Sequence, residues 1–223
     1  MSRTVGIIVA CLIVACLIGT VVAWKLAFPT YTHRYRLTIV VSIDGEVHTG
    51  SSVIEVSYIG QPSLGGASPF FPVVRGQATF VDLGQRGAIV AALHPGTIQD
   101  GASDANFLAM RAYKISEGFD SYRTISQQVG RQQLASDNMP RLIWFPNVAD
   151  PKSAQQFADI TSLFGPTAQL TGYLEITGDP IVIDIDKKLP WYNQMASSQK
   201  PNGVLTRPGE FQLIYNMFVG EGS

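Results

Sequence analysis

The chain has 223 residues, with 16 Lys and Arg against 17 Asp and Glu and a formal net charge of −1. That balance gives no electrostatic case for nucleic acid, which a basic face would attract. Its two cysteines, Cys11 and Cys16, fall inside one N-terminal apolar run, so the rest of the chain has no disulfide and no thiolate metal site, and cysteine usage does not fix a redox compartment.

Val5 to Trp24 reads VGIIVACLIVACLIGTVVAW and carries no charged residue. At about 1.5 Å per helical residue, about twenty residues span the hydrocarbon core of a bilayer. Trp24 and Lys25 close the run with an interfacial aromatic and a charge. The expectation is a transmembrane anchor with flanks over residues 1–28, a single β-rich domain over residues 29–223, and the lipid bilayer as first partner. Two alternatives stand beside it. Val21 and Ala23 are small enough for signal-peptidase cleavage after Ala23, with Arg3 as the positive start; but the run exceeds the about 7–15 apolar residues of a signal peptide. Ile13-Val14-Ala15-Cys16 has the form of a lipid-attachment site, repeated at Ile8-Val9-Ala10-Cys11; but Leu17 to Trp24 stay apolar where a lipoprotein turns polar. Orientation is contested. Arg3 lies on one side and Lys25, Arg34 and Arg36 on the other, which by the positive-inside rule keeps the domain in the cytoplasm. Long domains translocate largely regardless of such charges, and the run is itself an export signal, so a periplasmic domain is expected.

After a short stalk at Pro29 to His33, Tyr35, Leu37, Ile39, Val41 and Ile43 alternate with polar residues and predict a strand. Asp44-Gly45 predicts a two-residue hairpin turn, since both positions need positive φ. The return strand runs from Glu46 to Ile59 and sets Gly50 opposite Ile39. Gly60 to Ala67 is a loop, and Phe70, Phe71 and Pro72 form an irregular apolar cover. A second hairpin is predicted from Gly76 to Leu83, a turn at Gly84 to Gly87, and Ala88 to Leu93. Its return strand is apolar on both faces, as a buried central strand is. Ser103 is expected to cap a helix running to about Ser116 and ended by Gly118, with Ala105, Leu108, Ala112 and Ile115 on one stripe. A weaker helical pattern covers Ser121 to Leu134.

Arg141 to Phe145 reads as a strand. Asp150-Pro151 marks a turn, and Asp159 heads a helical turn through Phe164, ended by Gly165-Pro166. Leu170 to Thr177, Ile181 to Ile185 and Phe211 to Val219 read as strands. The fold class expected is mainly β with a few short helices (α+β): an antiparallel β-rich unit behind an N-terminal transmembrane helix.

Two stretches, RYRLTIVVSIDGEVHTGSSVIEV from Arg34 to Val56 and MPRLIWFPNVADPKSAQQFADITSLFGPTAQLTGYLEITGDPIVIDIDKKLPWY from Met139 to Tyr192, resemble an uncharacterised proteobacterial family of single-pass membrane-anchored proteins. The Pro-x-Leu strand, the Asp-Pro turn, the Phe-Gly after the short helix and the Leu-Pro-Trp ending stand in the family order. The resemblance implies an anchor and a bacterial inner membrane; it carries no activity, substrate or site. Where the family pattern is acidic after the Asp-Pro turn, this chain has Gln155, Gln156 and Phe157, which argues against an anionic or metal-linked role there.

No sequence pattern points to a catalytic residue, a metal or a cofactor. There is no nucleophile elbow; Gln61-Pro62-Ser63-Leu64-Gly65 lacks its first glycine. No phosphate-binding glycine motif occurs, and Gly84-Gln85-Arg86-Gly87 is accounted for by a hairpin turn. Of the histidines, His33 falls in the stalk and His48 beside a turn. His94, between a buried strand and Pro-Gly, is the one placed for a catalytic base, though a structural role accounts for it as well. Asp184 and Asp186 would share a strand face, which suits Ca²⁺ or acid–base work, but Lys187 and Lys188 offer simple charge balance. Phe70, Phe71, Trp191 and Tyr192 are the candidate binding residues. Core packing is the ordinary fate of such aromatics; Trp191, after Pro190 and outside a strand, is the one expected to be partly exposed. The function expected is a membrane-anchored envelope protein whose domain binds or scaffolds an envelope protein partner without catalysis. The alternatives are an envelope hydrolase using His94 or Asp184 with Asp186, and a cytoplasm-facing assembly factor.

Overall fold

The computed structural model describes residues 3–63, 68–93, 104–116, 118–197 and 217–221, with side chains throughout these except at 3–6, 8–10, 195–197 and 221. Helix α1 (Arg3–Ala27) leads into β1 (Thr30–Ile43) and β2 (Glu46–Gly60). Then come β3 (Phe70–Gln77), β4 (Thr79–Asp82) and β5 (Ala88–Ala91), helices α2 (Ala105–Ala112) and α3 (Phe119–Thr124), and strands β6 (Gln132–Gln133), β7 (Leu142–Phe145) and β8 (Gln155–Phe157). The chain continues through α4 (Thr161–Phe164), β9 (Gln169–Ile176), α5 (Ile185–Lys188), α6 (Tyr192–Ser197) and β10 (Val219–Glu221). It is mainly β with short helices after the first, as the sequence implies.

All strand pairs are antiparallel. One sheet has the order β10-β3-β2-β1-β9-β6 and the other β4-β5-β7-β8. The β1–β2 hairpin has the expected register, with Ile39 opposite Gly50, and Asp44 and Gly45 hold φ of 52° and 85° as the turn demands. Alternation then fixes the core. Tyr35, Leu37, Ile39, Val41 and Ile43 from one sheet meet Val81, Leu83, Ile89, Ala91 and Leu142 from the other in one buried cluster. The opposite parity of β5 and β7, Val90, Ile143 and Phe145, enters a second cluster with Ile185, Leu189, Trp191, Tyr192, Met217 and Phe218. The four-stranded sheet is therefore buried on both faces, which is why AIVAAL has no polar side.

Several local expectations are corrected. Thr30 to His33 is not a stalk but the start of β1, paired to Ser57, Tyr58 and their neighbours. Phe70 to Pro72 is strand rather than irregular cover. Asp104 caps α2, accepting from Asn106 N–H at 3.1 Å; the expected cap Ser103 lies outside the described residues. The helix over Ser121 to Leu134 stops early, because Leu134 N–H donates to the Gly172 carbonyl and draws the chain into the sheet edge. Ile181 to Asp184 is unpaired and Ile185 begins α5; the backbone N–H groups of Asp184 and Ile185 go to a side chain, Gln77, rather than to a neighbouring strand. The expected strand Phe211 to Val219 lies largely outside the described residues; β10 begins at its end.

Among the described residues no helix is long and apolar enough to cross a membrane. The backbone of α1 runs 25 residues; its side chains are described at Ile7 and from Cys11 to Ala27, short of the about twenty a bilayer core takes. The first part of the expected anchor thus lies outside the described side chains.

Candidate functional site

Among the described residues, sheet edges and loop junctions shape several clefts. The most ligand-like is a groove of about 460 Å³ beside the first half of β9. Its floor is apolar, with Leu134, Met139, Leu142, Phe157, Ile160 and Leu170; Gln133, Ser136, Asp159, Thr161 and Thr171 form a polar rim. The groove exists because β6 covers only Leu174 and Tyr173 of β9. One further bond, Leu134 N–H to the Gly172 carbonyl at 2.9 Å, ends the pairing. By the two-residue period, the backbone N–H and C=O of Leu170 face the same open edge. Asp159 is held in place by Thr161, whose hydroxyl and backbone N–H both donate to it, and these bonds lower its carboxyl pKa below the ordinary range. No sequence signal marks this groove, because its walls come from three separated segments.

A second cleft, about 480 Å³, lies where β1 runs on past the end of β9; Thr32, His33, Arg34, Glu55, Ser126, Gln128 and Thr177 line it. His33 is 3% exposed, and its two ring nitrogens have no hydrogen-bond partner among the described residues. Its ring stacks near Tyr58 at 5.8 Å and Tyr35 at 6.1 Å. Burial lowers its pKa from 6.5 to about 4. Beside it, Glu55 takes both Arg34, at 2.7 Å, and Arg75, at 3.4 Å. The sequence reading missed His33 by stopping the alternation at Tyr35; Tyr31 and His33 continue the same parity.

The histidine makes stability depend on pH with a definite sign. The unfolded chain takes up a proton below about pH 6.5, whereas the folded chain refuses it until about pH 4. Stability therefore falls as pH drops through that window, by about 2 kcal/mol between pH 7 and 4.5 from this group alone. The His33→Phe variant is expected to lose that much less over the same range in urea titrations. Equal losses in the two proteins would contradict the assignment.

The third cleft, about 250 Å³, holds Asp184 with Arg36, Ser51, Gln77, Asp179 and Lys188. Asp184 accepts from Gln77 Nε2 at 2.7 Å and pairs with Lys188 at 3.0 Å. The bond from Gln77 leads the causes that lower its pKa, with Lys188 adding to it. The backbone N–H groups of Asp184 and Ile185 donate to Gln77 Oε1 at 2.6 and 2.9 Å. Arg36 pairs with Asp179. The polar groups here tie residues 177–184 across the outer face of the larger sheet. Asp184 and Asp186 share no strand face: Asp184 precedes α5, and Asp186, in the helix, accepts from Asn193 at 3.5 Å. His94 lies outside the described residues. Among the described residues no three or more His, Cys, Asp or Glu are grouped so that they could hold a metal ion.

The four candidate aromatics are not brought together. Phe70 is 7% exposed in the inter-sheet core, whereas Trp191 and Tyr192 are 6% and 5% exposed in the second cluster. The partial exposure expected of Trp191 is thereby corrected: its ring packs against Phe145 at 5.7 Å and Phe218 at 5.6 Å, and its Nε1 donates to the Val148 carbonyl at 2.9 Å. Only Phe71, 50% exposed, faces solvent. Compared with protein-family models, curated proteins and solved structures, the chain matches none.

Proposed function

We propose that the chain is a single-pass protein of a bacterial inner membrane whose β-rich domain stands on the periplasmic side and holds an extended segment of a partner protein without catalysing a reaction. The observation that carries the binding reading is the groove beside β9: an apolar floor, a polar rim and an open strand edge at Leu170. An extended chain laid there gains main-chain hydrogen bonds from the edge and side-chain burial from the floor. The anchor reading draws on the uncharged run Val5 to Trp24 and on the exposure of the apolar side chains described from Cys11 to Leu26.

A photo-crosslinking residue tests this in intact cells. Placed at Thr171 it is expected to give a discrete adduct that Leu170→Glu abolishes, and none from exposed Thr49. Absence of an adduct at Thr171, or identical adducts at both positions, overturns the binding reading. Protease added to spheroplasts is expected to digest the domain; protection of the domain favours the cytoplasm-facing alternative.

A further inference from the structure

Only Phe28 and Pro29 separate α1 from β1, and the joint is packed. Gly60 N–H donates to the Pro29 carbonyl at 2.9 Å. A β-carbon at Gly60 would stand 2.7 Å from that oxygen and 2.8 Å from the Phe28 carbonyl carbon, so the end of β2 presses directly on the joint. The Trp24 and Phe28 rings stand 4.6 Å apart, carrying the last turn of α1 into the same contact.

The strand register places large apolar groups beside this joint. Thr30 pairs with Ile59, and Ile59 with Phe71. Ile59 is 38% exposed and Phe71 50%. Around the sheet end, Phe119 at the start of α3 is 52% exposed and touches Tyr31 at 5.8 Å and Phe70 at 5.6 Å. Among the described residues, the end of the sandwich from which α1 departs thus carries Ile59, Phe71 and Phe119 exposed, with Lys25 exposed in the last turn of the helix.

We infer that Ile59, Phe71 and Phe119 form a rim that rests in the headgroup layer of the bilayer, so that the sandwich is seated on the membrane rather than held above it. This rests on α1 lying in lipid. From Trp24, where the run meets the interface, Lys25 to Ala27 rise about 4.5 Å in helix, and Phe28 and Pro29 add at most about 7 Å, against about 5–7 Å of headgroup layer, which leaves the rim within or against that layer. Aromatic and aliphatic groups at that depth are stabilised by partial withdrawal from water, and a lysine there meets phosphate. The seating also sets the height of the β9 groove. It lies beside Ile39 to Ser42 in the register, nine or more residues along β1 from the joint, roughly 30 Å at about 3.3 Å per residue.

Single cysteines at positions 18, 71 and 49, in a Cys11→Ala, Cys16→Ala background, test it. Each carries an environment-sensitive dye in the full chain, reconstituted in phosphatidylethanolamine–phosphatidylglycerol vesicles with lipids spin-labelled at the headgroup or deep in the acyl chain. The dye at Phe71→Cys is expected to lose about half its emission to the headgroup label, the dye at Ile18→Cys to be quenched by the deep label, and the dye at Thr49→Cys by neither. If position 18 is quenched while 71 behaves like 49, the anchor stands and the seated rim is wrong. If position 71 is shielded from water but not quenched, protein covers the rim and the inference is likewise wrong. If position 18 is quenched by neither label, the anchor reading fails and the inference falls with it.

Discussion

Gly50→Ala is expected to destabilise the sandwich severely. A β-carbon at Gly50 would lie 2.0 Å from the Phe80 carbonyl oxygen and 3.0 Å from a Val81 methyl. The oxygen is backbone, and β4 is pinned by pairing Phe80 with Val90 and Val81 with Ile89, so it cannot retreat without parting β4 from β5. Overpacking a core with room to relax costs about 1–3 kcal/mol; here the yielding element is a strand, and a loss above about 3 kcal/mol is expected. Gly45→Ala, in the same hairpin, meets no atom within 4 Å and is strained only by its φ of 85°, which costs about 1 kcal/mol. Urea unfolding of the two variants separates them. A Gly50→Ala protein as stable as Gly45→Ala would show that the Phe80 backbone does not pack against Gly50.

Trp191→Ala carries the second large effect and decides between two roles for that residue. As a buried group between Phe145 and Phe218 whose indole N–H reaches the Val148 carbonyl, it holds the helical segment against the four-stranded sheet. Its removal leaves a cavity and orphans a carbonyl, expected to cost about 3–5 kcal/mol, or roughly 10 °C in Tm for a body of this size. Phe71→Ala, at an exposed position, is expected within about 0.5 kcal/mol of the parent. If Trp191 lined a ligand groove instead, Trp191→Ala would melt with the parent.

These two residues also show what the chain discloses by itself. Gly50 was legible as a gap opposite Ile39, because the Asp44-Gly45 turn fixes the hairpin register. What fills the gap, the Phe80 backbone, comes from another sheet, and no local pattern announces it. The two-sided burial of Ala88 to Leu93 was legible from its unbroken apolar run. Trp191 was not, because the residues that enclose it, Phe145 and Phe218, are far away in sequence. His33 was misread for a related reason: a polar side chain before a strand looks solvated, and only its parity with Tyr35 and Leu37 betrays the inward face. Ile181 to Ile185 has strand composition but finds the Gln77 amide instead of a strand partner. The candidate site was the least legible part. The β9 groove is made by the shortness of β6, a property of where pairing stops, and Gln133, Asp159 and Leu170 carry no pattern that groups them in one dimension.

The seated rim, the height of the groove and the compartment of the partner all follow from α1 being held in lipid. Alkaline carbonate extraction of membranes bearing the untagged full-length chain, followed by ultracentrifugation, tests it directly. The chain is expected in the pellet and in solution only after detergent. Full-length chain with an intact N-terminus that stays in the supernatant without detergent would contradict it.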